Sequence, residues 1–326
     1  MLNRRQFLGT VGASAIALGL AGCSGSDEDE GSSAGKYKIA MVMDGTINDG
    51  GWGASCYDAL TGACDELGWE CAYSESVDTA DWVTTMQAYV DLDYDIVLAP
   101  GSQYVDSVVQ CADDNPDAHF CILNNDTTTD NIEALVPDTT QIGQLAGALA
   151  GILSKTGVIG FVGGVELDTT QNKLENYEAA AQAVNPDIKV VSAYAGSFTD
   201  SAKGKELAIS MVKTDGADVF FGDASVVDTG VREALADYED VYDIGQPSDL
   251  GGEDDELIAC SVVTDNQVML EECMLDYESG SYGNNIIYGD MSTGAVFVGT
   301  MSSIVTEEQQ AEYEGYVEQI AAGTFV

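Results

Sequence analysis

Short apolar strands alternate with amphipathic helices along this chain, and no other feature constrains the fold as strongly. Segment 38–43 is an apolar strand, segment 52–67 has helical spacing, and the pairing repeats to segment 142–153, a helix rich in small residues that is expected to pack closely on its neighbours. The pattern then restarts at 158–162. Strands that alternate with helices of roughly 10–15 residues indicate parallel sheets built from βαβ units.

The restart predicts an α/β protein of two Rossmann-like lobes with parallel sheets around a central cleft. In open α/β sheets, ligands bind beyond the carboxyl ends of the strands. Two facing lobes bring two such edges together, so the loops that follow strands are where binding residues are expected.

The loops of the first half carry five candidate ligand-binding residues. Asp44 follows the first strand and could accept hydrogen bonds from a ligand, and Asn48 lies in the same loop. Trp52 begins the next helix, where its ring could stack on a ligand or simply anchor the helix to the sheet. Ser102 enters a helix whose free N–H groups can bind polar atoms. Asn124 offers an amide after the fourth strand, although Asn also favours turns.

Corresponding loops of the second half add Phe198 and Asp223, each directly after a strand. Each loop is weak evidence alone. Together they place aromatic and polar groups at matching strand ends in both halves, as a cleft between lobes requires.

The net charge of the chain limits the kinds of partner that it can bind. With 56 acidic and 11 basic residues, the formal net charge is −45, which argues against nucleic-acid binding and against docking on anionic lipid by a basic face. Apolar residues make up 45% of the chain, so the acidity indicates an acidic surface rather than disorder. Few basic residues favour a neutral or cationic ligand over an anionic one.

Catalytic, metal and cofactor motifs are not evident. His119 is the one histidine, and no GxSxG elbow accompanies it to support a triad. No GxxxxGK[ST] loop occurs, no GxGxxG follows the first strand, and no CxxC or Cys–His spacing suggests zinc. The chain is therefore expected not to be an enzyme and to need no metal or cofactor.

The first 35 residues resemble an export address. Arg4 and Arg5 precede an apolar stretch too short for a membrane span, and the segment Leu-Ala-Gly-Cys ending at Cys23 resembles a lipobox. We expect residues 1–22 to be a signal peptide of the twin-arginine type and Cys23 to be lipidated. Residues 23–35 would form a flexible acidic tether that holds the exported protein at the outer face of the cell membrane.

Seven cysteines remain after Cys23, an odd number that cannot all pair within one chain. Most lie in apolar strand or helix patterns, where a free thiol acts as a small hydrophobe, and are expected to be buried. They are Cys56, Cys64, Cys71, Cys111, Cys121, Cys260 and Cys273.

Four segments of the second half carry a family resemblance. They read TGVIGFVGG at 156–164, AVNPDI at 183–188, YAGSFTDSAKGKELA at 194–208 and GADV at 216–219. They resemble the basic membrane protein (BMP) family, the PnrA-like substrate-binding lipoproteins of ABC transporters.

The resemblance implies a type I periplasmic-binding fold with three chain crossings, partnered by an ABC permease and its ATPase. It further implies a purine nucleoside held between aromatic rings. Asp44, Trp52 and Phe198 match the family's acid and its two aromatics, and Asp249 matches the second acid of its G-V-D-S-D segment.

The ligand positions also depart from the family. Gly53 stands for an Asn, Asn124 for an acid, Pro247 for an Asp and Thr264 for a Lys. A purine nucleoside is therefore the family default, and riboflavin or another heterocycle stays open, as does a ligand-sensing module of the same fold. The lobes are expected at 36–137 plus about 265–300, and at 138–264 plus about 301–326.

Overall fold

The computed structural model describes residues 37–326, which form two α/β lobes, each built on a six-stranded sheet. The signal, Cys23 and the tether predicted for residues 1–35 lie outside the described residues. The predicted α/β class and two-lobe architecture are confirmed.

The first lobe contains the sheet nearest the start of the chain. Its strands are β1 Lys38–Val42, β2 Glu70–Ser74, β3 Ile96–Ala99, β4 His119–Leu123, β5 Ile132–Pro137 and β11 Ile286–Gly289. Its helices are α1 Trp52–Leu67, α2 Trp82–Val90, α3 Val105–Asp114 and α8 Asn266–Ser279. All strands are parallel, in the order β2-β1-β3-β4-β5-β11.

The second lobe repeats this arrangement. Its strands are β6 Val158–Gly163, β7 Lys189–Tyr194, β8 Val219–Asp223, β9 Tyr242–Gly245, β10 Ile258–Thr264 and β12 Val296–Val298. Its helices are α4 Thr139–Leu153, α5 Asp168–Val184, α6 Ser201–Ser210, α7 Val226–Leu235 and α9 Glu307–Ala321. The order is β7-β6-β8-β9-β10-β12, and β12 alone is antiparallel to its neighbour.

The chain crosses between lobes three times, after β5, after β10 and between β11 and β12. Two backbone hydrogen bonds hold the crossings side by side: the Asp138 N–H donates to the Gly289 carbonyl and the Asp265 N–H to the Ala295 carbonyl, both at 2.7 Å. The third crossing lies between residues 289 and 296 rather than near 300, because β12 pairs with β10 of the second lobe.

Side chains of the central strands are buried on both faces. In β1, Ile39 and Met41 join the core beneath α1 and α8, whereas Ala40 and Val42 join the core beneath α2 and α3. Successive strand residues point to opposite faces, and a parallel sheet covered on both sides needs continuous apolar strands. The second sheet is enclosed in the same way by two further clusters.

Capping residues fix where several helices begin and end. The carboxylates of Asp138 and Asp265 accept N–H bonds at the starts of α4 and α8, and Thr306 forms a capping box with α9. Gly68 and Gly280 adopt left-handed conformations that end α1 and α8.

Helix α4 packs against α5 through glycines four residues apart, as the small-residue pattern predicted. A Cβ at Gly143 would lie 2.5 Å from the Lys173 carbonyl oxygen, and one at Gly147 would lie 2.2 Å from the Tyr177 carbonyl oxygen. Residues four apart share one helix face, so this row of glycines lets the two backbones touch.

We expect Gly147→Ala to lower the free energy of unfolding by about 1–3 kcal/mol, because the new methyl overpacks the α4–α5 contact. Urea unfolding measures the change. Gly315→Ala is the matched control, because nothing lies within 4 Å of a Cβ built at that position of α9. The control should be neutral or gain up to about 1 kcal/mol from helix propensity. Equal effects of the two substitutions would contradict the close contact.

The seven cysteines of the described residues are all free thiols, and six of them are buried, as expected. Cys71 on β2 is the exposed one. His119 is half-buried, with its ring 4.9 Å from the rings of Tyr277 and Tyr282, in a structural aromatic cluster.

Candidate functional site

A cavity of about 300 Å³ lies between the lobes, at the carboxyl ends of both sheets. Residues that follow β1, β3 and β4 line one wall, and residues that follow β6, β7, β8 and β9 line the other. This is the position that parallel α/β sheets give to a ligand site, and its size is at the lower end of ordinary ligand pockets.

Six of the eight residues that the sequence pointed to line this cavity. They are Asp44, Trp52, Ser102 and Asn124 in the first lobe and Phe198 and Asp223 in the second. Asn124 adopts φ +62° at the end of β4, a left-handed conformation that Asn tolerates better than most residues.

Asn48 and Asp249 lie outside the cavity lining. Asn48 is exposed, while its neighbours Thr46 and Asp49 face the cavity. The Asp249 carboxylate instead accepts hydrogen bonds from the Thr300 N–H at 2.9 Å and the Thr300 hydroxyl at 2.6 Å. Asp249 thus fastens the loop after β9 to the segment after β12.

Trp52 is both an anchor and a wall of the cavity. Its indole Nε1–H donates to the Pro100 carbonyl at 2.7 Å, which ties the start of α1 to the loop after β3. The ring is half-buried and lines the cavity. The hydrogen bond therefore holds the large, flat indole ring in one orientation at the start of α1.

Phe198 presents the aromatic ring of the opposite lobe. The ring rests on Gly164, where a Cβ would approach the Phe198 Cδ1 to 2.3 Å. The Val226 N–H donates to the Phe198 carbonyl at 3.1 Å, so the loops after β7 and β8 support each other.

Asp44 is held by Tyr104, a residue that no sequence pattern indicated. The Tyr104 hydroxyl donates to Asp44 Oδ1 at 2.7 Å and accepts the Asp44 N–H at 2.7 Å. Burial raises the pKa of the fully buried Tyr104 phenol, so the hydroxyl keeps its proton and stays a donor. The second carboxylate oxygen of Asp44 faces the cavity side, with Gln103 Nε2 at 3.5 Å.

Asp223 belongs to a polar cluster that includes the buried Lys173 of α5. Lys173 Nζ lies 2.8 Å from Asp223 Oδ1 and 3.3 Å from Gln246 Oε1, and the Thr170 hydroxyl donates to Asp223 Oδ2 at 2.7 Å. Gln246 Nε2 also donates to the Gly222 carbonyl. Lys173 supplies the single ammonium group among the residues that line the cavity.

Asp228 of α7 is a second carboxyl group in this wall, and unlike Asp223 it is buried. Its Oδ2 accepts the Ala224 N–H at 2.9 Å, whereas its Oδ1 is buried without a hydrogen-bond partner in residues 37–326. Burial raises the pKa of Asp228 to about 7, although the Arg232 guanidinium opposes the shift.

We expect Asp228→Asn to flatten the pH dependence of stability. Between the ordinary carboxyl pKa and about 7, the folded protein holds a proton on Asp228 that the unfolded chain releases. Stability therefore falls as pH rises through this window, by up to about 1.4 kcal/mol per pH unit for one such group. Urea unfolding from pH 4.5 to 8 compares the slopes. Glu133 and Asp243 also have raised pKa values, but they are present in both proteins. Identical slopes would contradict the assignment.

Within residues 37–326, one side-chain hydrogen bond crosses the cleft. The Ser225 hydroxyl of the second lobe donates to Asp49 Oδ2 of the first lobe at 2.9 Å. The same carboxylate accepts the N–H groups of Gly51, Gly53 and Ala54, so it also caps the start of α1. Ser225 has φ +55°, which is unusual for a residue with a side chain. The lobes are thus closed against each other at this point.

All four positions that depart from the family pattern line the cavity: Gly53, Asn124, Pro247 and Thr264. At Gly53 a Cβ would lie 2.2 Å from the Thr46 carbonyl oxygen, so the loop after β1 folds over a position where a larger residue does not fit.

Metal-binding clusters and membrane-spanning helices are not found in the part of the chain that the structure describes. Among residues 37–326, no cluster of three or more His, Cys, Asp or Glu side chains is arranged to hold a metal ion. In the same residues, no helix combines the length and apolar character that a membrane span requires.

Two α/β lobes joined by three crossings around such a cleft form an architecture that solved solute-binding proteins also have. A solved ABC transporter solute-binding protein from Aeropyrum pernix K1 shares the fold with a TM-score of 0.78 and 18% identity, covering 88% of this chain and 92% of that one. The sequence model described as "ABC transporter substrate-binding protein PnrA-like" matches residues 36–325. The chain belongs to this Bmp family of ABC transporter substrate-binding proteins.

Curated relatives agree with this membership. The ABC transporter nucleoside-binding protein BmpA of Lactococcus lactis subsp. cremoris is 29% identical over 320 residues, covering 89% of this chain and 90% of the relative. The CD4+ T-cell-stimulating antigen of Listeria innocua is 25% identical over 353 residues, covering 99% and 98%. Proteins of this class bind small ligands and work with a permease and an ATPase. They are not enzymes.

Proposed function

We propose that this substrate-binding protein captures a neutral, purine-nucleoside-like ligand in the inter-lobe cavity and delivers it to an ABC permease. The observation that carries the proposal is the pairing of Trp52 and Phe198 on opposite walls of one cavity. Two aromatic rings from two lobes suit a flat heterocycle, because closure of the lobes places one ring against each face.

The charges of the cavity support a ligand without a phosphate. Its lining includes four carboxyl groups, those of Asp44, Asp49, Asp223 and Asp228, and one ammonium group, that of Lys173. Lys173 is already paired with Asp223, so the cavity lining offers no unpaired cation to bind an anionic ligand. Carboxylate oxygens accept hydrogen bonds from sugar hydroxyls and from ring N–H groups.

A thermal-shift screen tests the ligand class. We expect guanosine, inosine or adenosine to raise the melting temperature, since a ligand at 100 times its Kd adds about 2.7 kcal/mol of stability. Guanosine 5′-monophosphate is the matched control for guanosine and should give a much smaller shift. A larger shift with riboflavin than with every nucleoside would replace the nucleoside by a flavin. No shift with any nucleoside or flavin would refute the ligand class.

We further propose that the protein is a lipoprotein held at the outer face of the membrane through Cys23. The support is the order of Arg4-Arg5, an apolar stretch and Leu-Ala-Gly-Cys in the sequence. Labelling cells with a fatty-acid analogue should mark the wild-type protein and not Cys23→Ser. Equal labelling of both proteins, or of neither, would refute the anchor.

A further inference from the structure

Two cysteines of the first lobe lie in contact at the edge of its sheet. Cys64 is in the last turns of α1, Cys71 is in the edge strand β2, and their thiols are close enough to interact. Cys64 is buried, whereas Cys71 is the exposed thiol of the described residues. The pair therefore combines a solvent-accessible sulfur with a protected one beside it.

The secondary structure explains why these two side chains meet. Tyr57 of α1 and Tyr73 of β2 contact each other with ring centroids 5.1 Å apart. Cys64 lies seven residues after Tyr57, two helical turns along the same face, and Cys71 lies two residues before Tyr73, on the same face of the strand. The helix and the strand run in opposite directions here. Cys64 and Cys71 are therefore brought side by side, as Tyr57 and Tyr73 are.

We propose that Cys64 and Cys71 form a disulfide when the folded protein meets a disulfide oxidant, with Cys71 as the attacking sulfur. This inference goes beyond ligand binding. It makes the edge of the first lobe a thiol-modification site, and an exported protein would meet such oxidants.

The electrostatics of the pair favour Cys71 as the nucleophile. The neighbouring Cys64 thiol lowers the pKa of Cys71 to about 7, whereas the Cys71 thiol and burial raise the pKa of Cys64. A substantial thiolate fraction therefore exists on the exposed sulfur at neutral pH, which is the form that attacks disulfides.

The reaction is two successive thiol–disulfide exchanges. The Cys71 thiolate attacks one sulfur of the oxidant, forming a mixed disulfide and releasing one thiolate. Cys64 then loses its proton and attacks Cys71 Sγ, which forms the Cys64–Cys71 bond and releases the second thiolate. Two electrons pass from the protein to the oxidant, and the protons of the two cysteine thiols balance the two thiols that leave.

A second pair of touching thiols shows why exposure matters. The thiols of Cys121 in β4 and Cys273 in α8 also lie close enough to interact, but both residues are 0% exposed. A small-molecule disulfide reaches neither sulfur without unfolding of the lobe, so the proposal is confined to Cys64 and Cys71.

The test treats the folded full-length protein with oxidised glutathione near neutral pH. Remaining thiols are alkylated, and a glutamate-specific protease then cleaves the chain at Glu66 and Glu70, which separate the two cysteines. We expect the Cys64 and Cys71 peptides of the wild type to stay joined, with the loss of two thiols and no retained glutathione.

Two variants make the result decisive. Cys64→Ala keeps its position apolar and removes the resolving sulfur, so Cys71 should retain one glutathione. Cys111→Ser alters a buried cysteine on the other face of the sheet and should cross-link like the wild type. Retained glutathione on wild-type Cys71 with Cys64 alkylated, or no reaction at either cysteine, would overturn the proposal.

Discussion

Replacing Trp52 with alanine should weaken binding of the proposed nucleoside ligand about 10–100-fold, because stacking of a base on an aromatic ring contributes about 1–3 kcal/mol. The indole is held in place by its 2.7 Å hydrogen bond to the Pro100 carbonyl, so little conformational freedom is lost when a ligand arrives. Isothermal titration calorimetry, with the ligand that gives the largest shift in the thermal-shift screen, measures the change in affinity.

Matched variants separate stacking from anchoring. Trp52→Phe keeps a ring but loses the hydrogen bond to Pro100, and should weaken binding less than Trp52→Ala. Phe297→Ala removes an aromatic ring that is 41% exposed and lies outside the cavity, and should leave affinity unchanged. If Trp52→Ala binds as tightly as the wild type, the indole serves only to anchor α1.

The sequence was sufficient to predict the architecture because both sheets are buried on both faces. Apolar strands such as β1 and β6 stand out between helices, and their predicted bounds, 38–43 and 158–162, each differ from the observed ones by one residue. The third crossing was misplaced because β12 has three residues and pairs antiparallel, so no βαβ signal marks its sheet.

The candidate site was predictable only where its residues follow strands. Asp44, Trp52 and Phe198 lie beyond the ends of strands and Asp223 ends β8, and all four line the cavity. Lys173 lies inside α5, a helix with many polar residues, and its burial depends on how α5 packs against the sheet.

Tyr104, Asp228 and Ser225 were missed for related reasons. Tyr104 reaches Asp44 from a loop 60 residues away in sequence, and Ser225 reaches Asp49 from the other lobe, 176 residues away. The burial of Asp228 follows from the docking of α7 on β8. No local sequence pattern predicts these contacts, because they form only when the lobes have folded and packed together.

The largest loss of stability is expected from Asp223→Ala. Lys173 is 6% exposed, and its ammonium group would lose the carboxylate at 2.8 Å, leaving Gln246 and no counter-charge. Removing one partner of a buried ion pair costs about 3–5 kcal/mol, because the remaining charge stays desolvated. Urea unfolding without ligand measures this loss separately from any effect on binding.

The chain supplies its own control for this prediction. Lys155 and Asp240 form an ion pair at 2.7 Å, close to the 2.8 Å of Lys173 and Asp223, but both side chains are 68% exposed. Asp240→Ala should change stability little, because water and salt screen an exposed pair.

The double variant Asp223→Ala with Lys173→Met should recover much of the loss, since it removes the ammonium group that is left without a counter-charge. Equal effects of Asp223→Ala and Asp240→Ala, or no recovery in the double variant, would show that the buried pair does not stabilise the second lobe. Because Lys173 and Asp223 both line the cavity, recovered stability with weakened nucleoside binding would assign this pair to the ligand as well as to the fold.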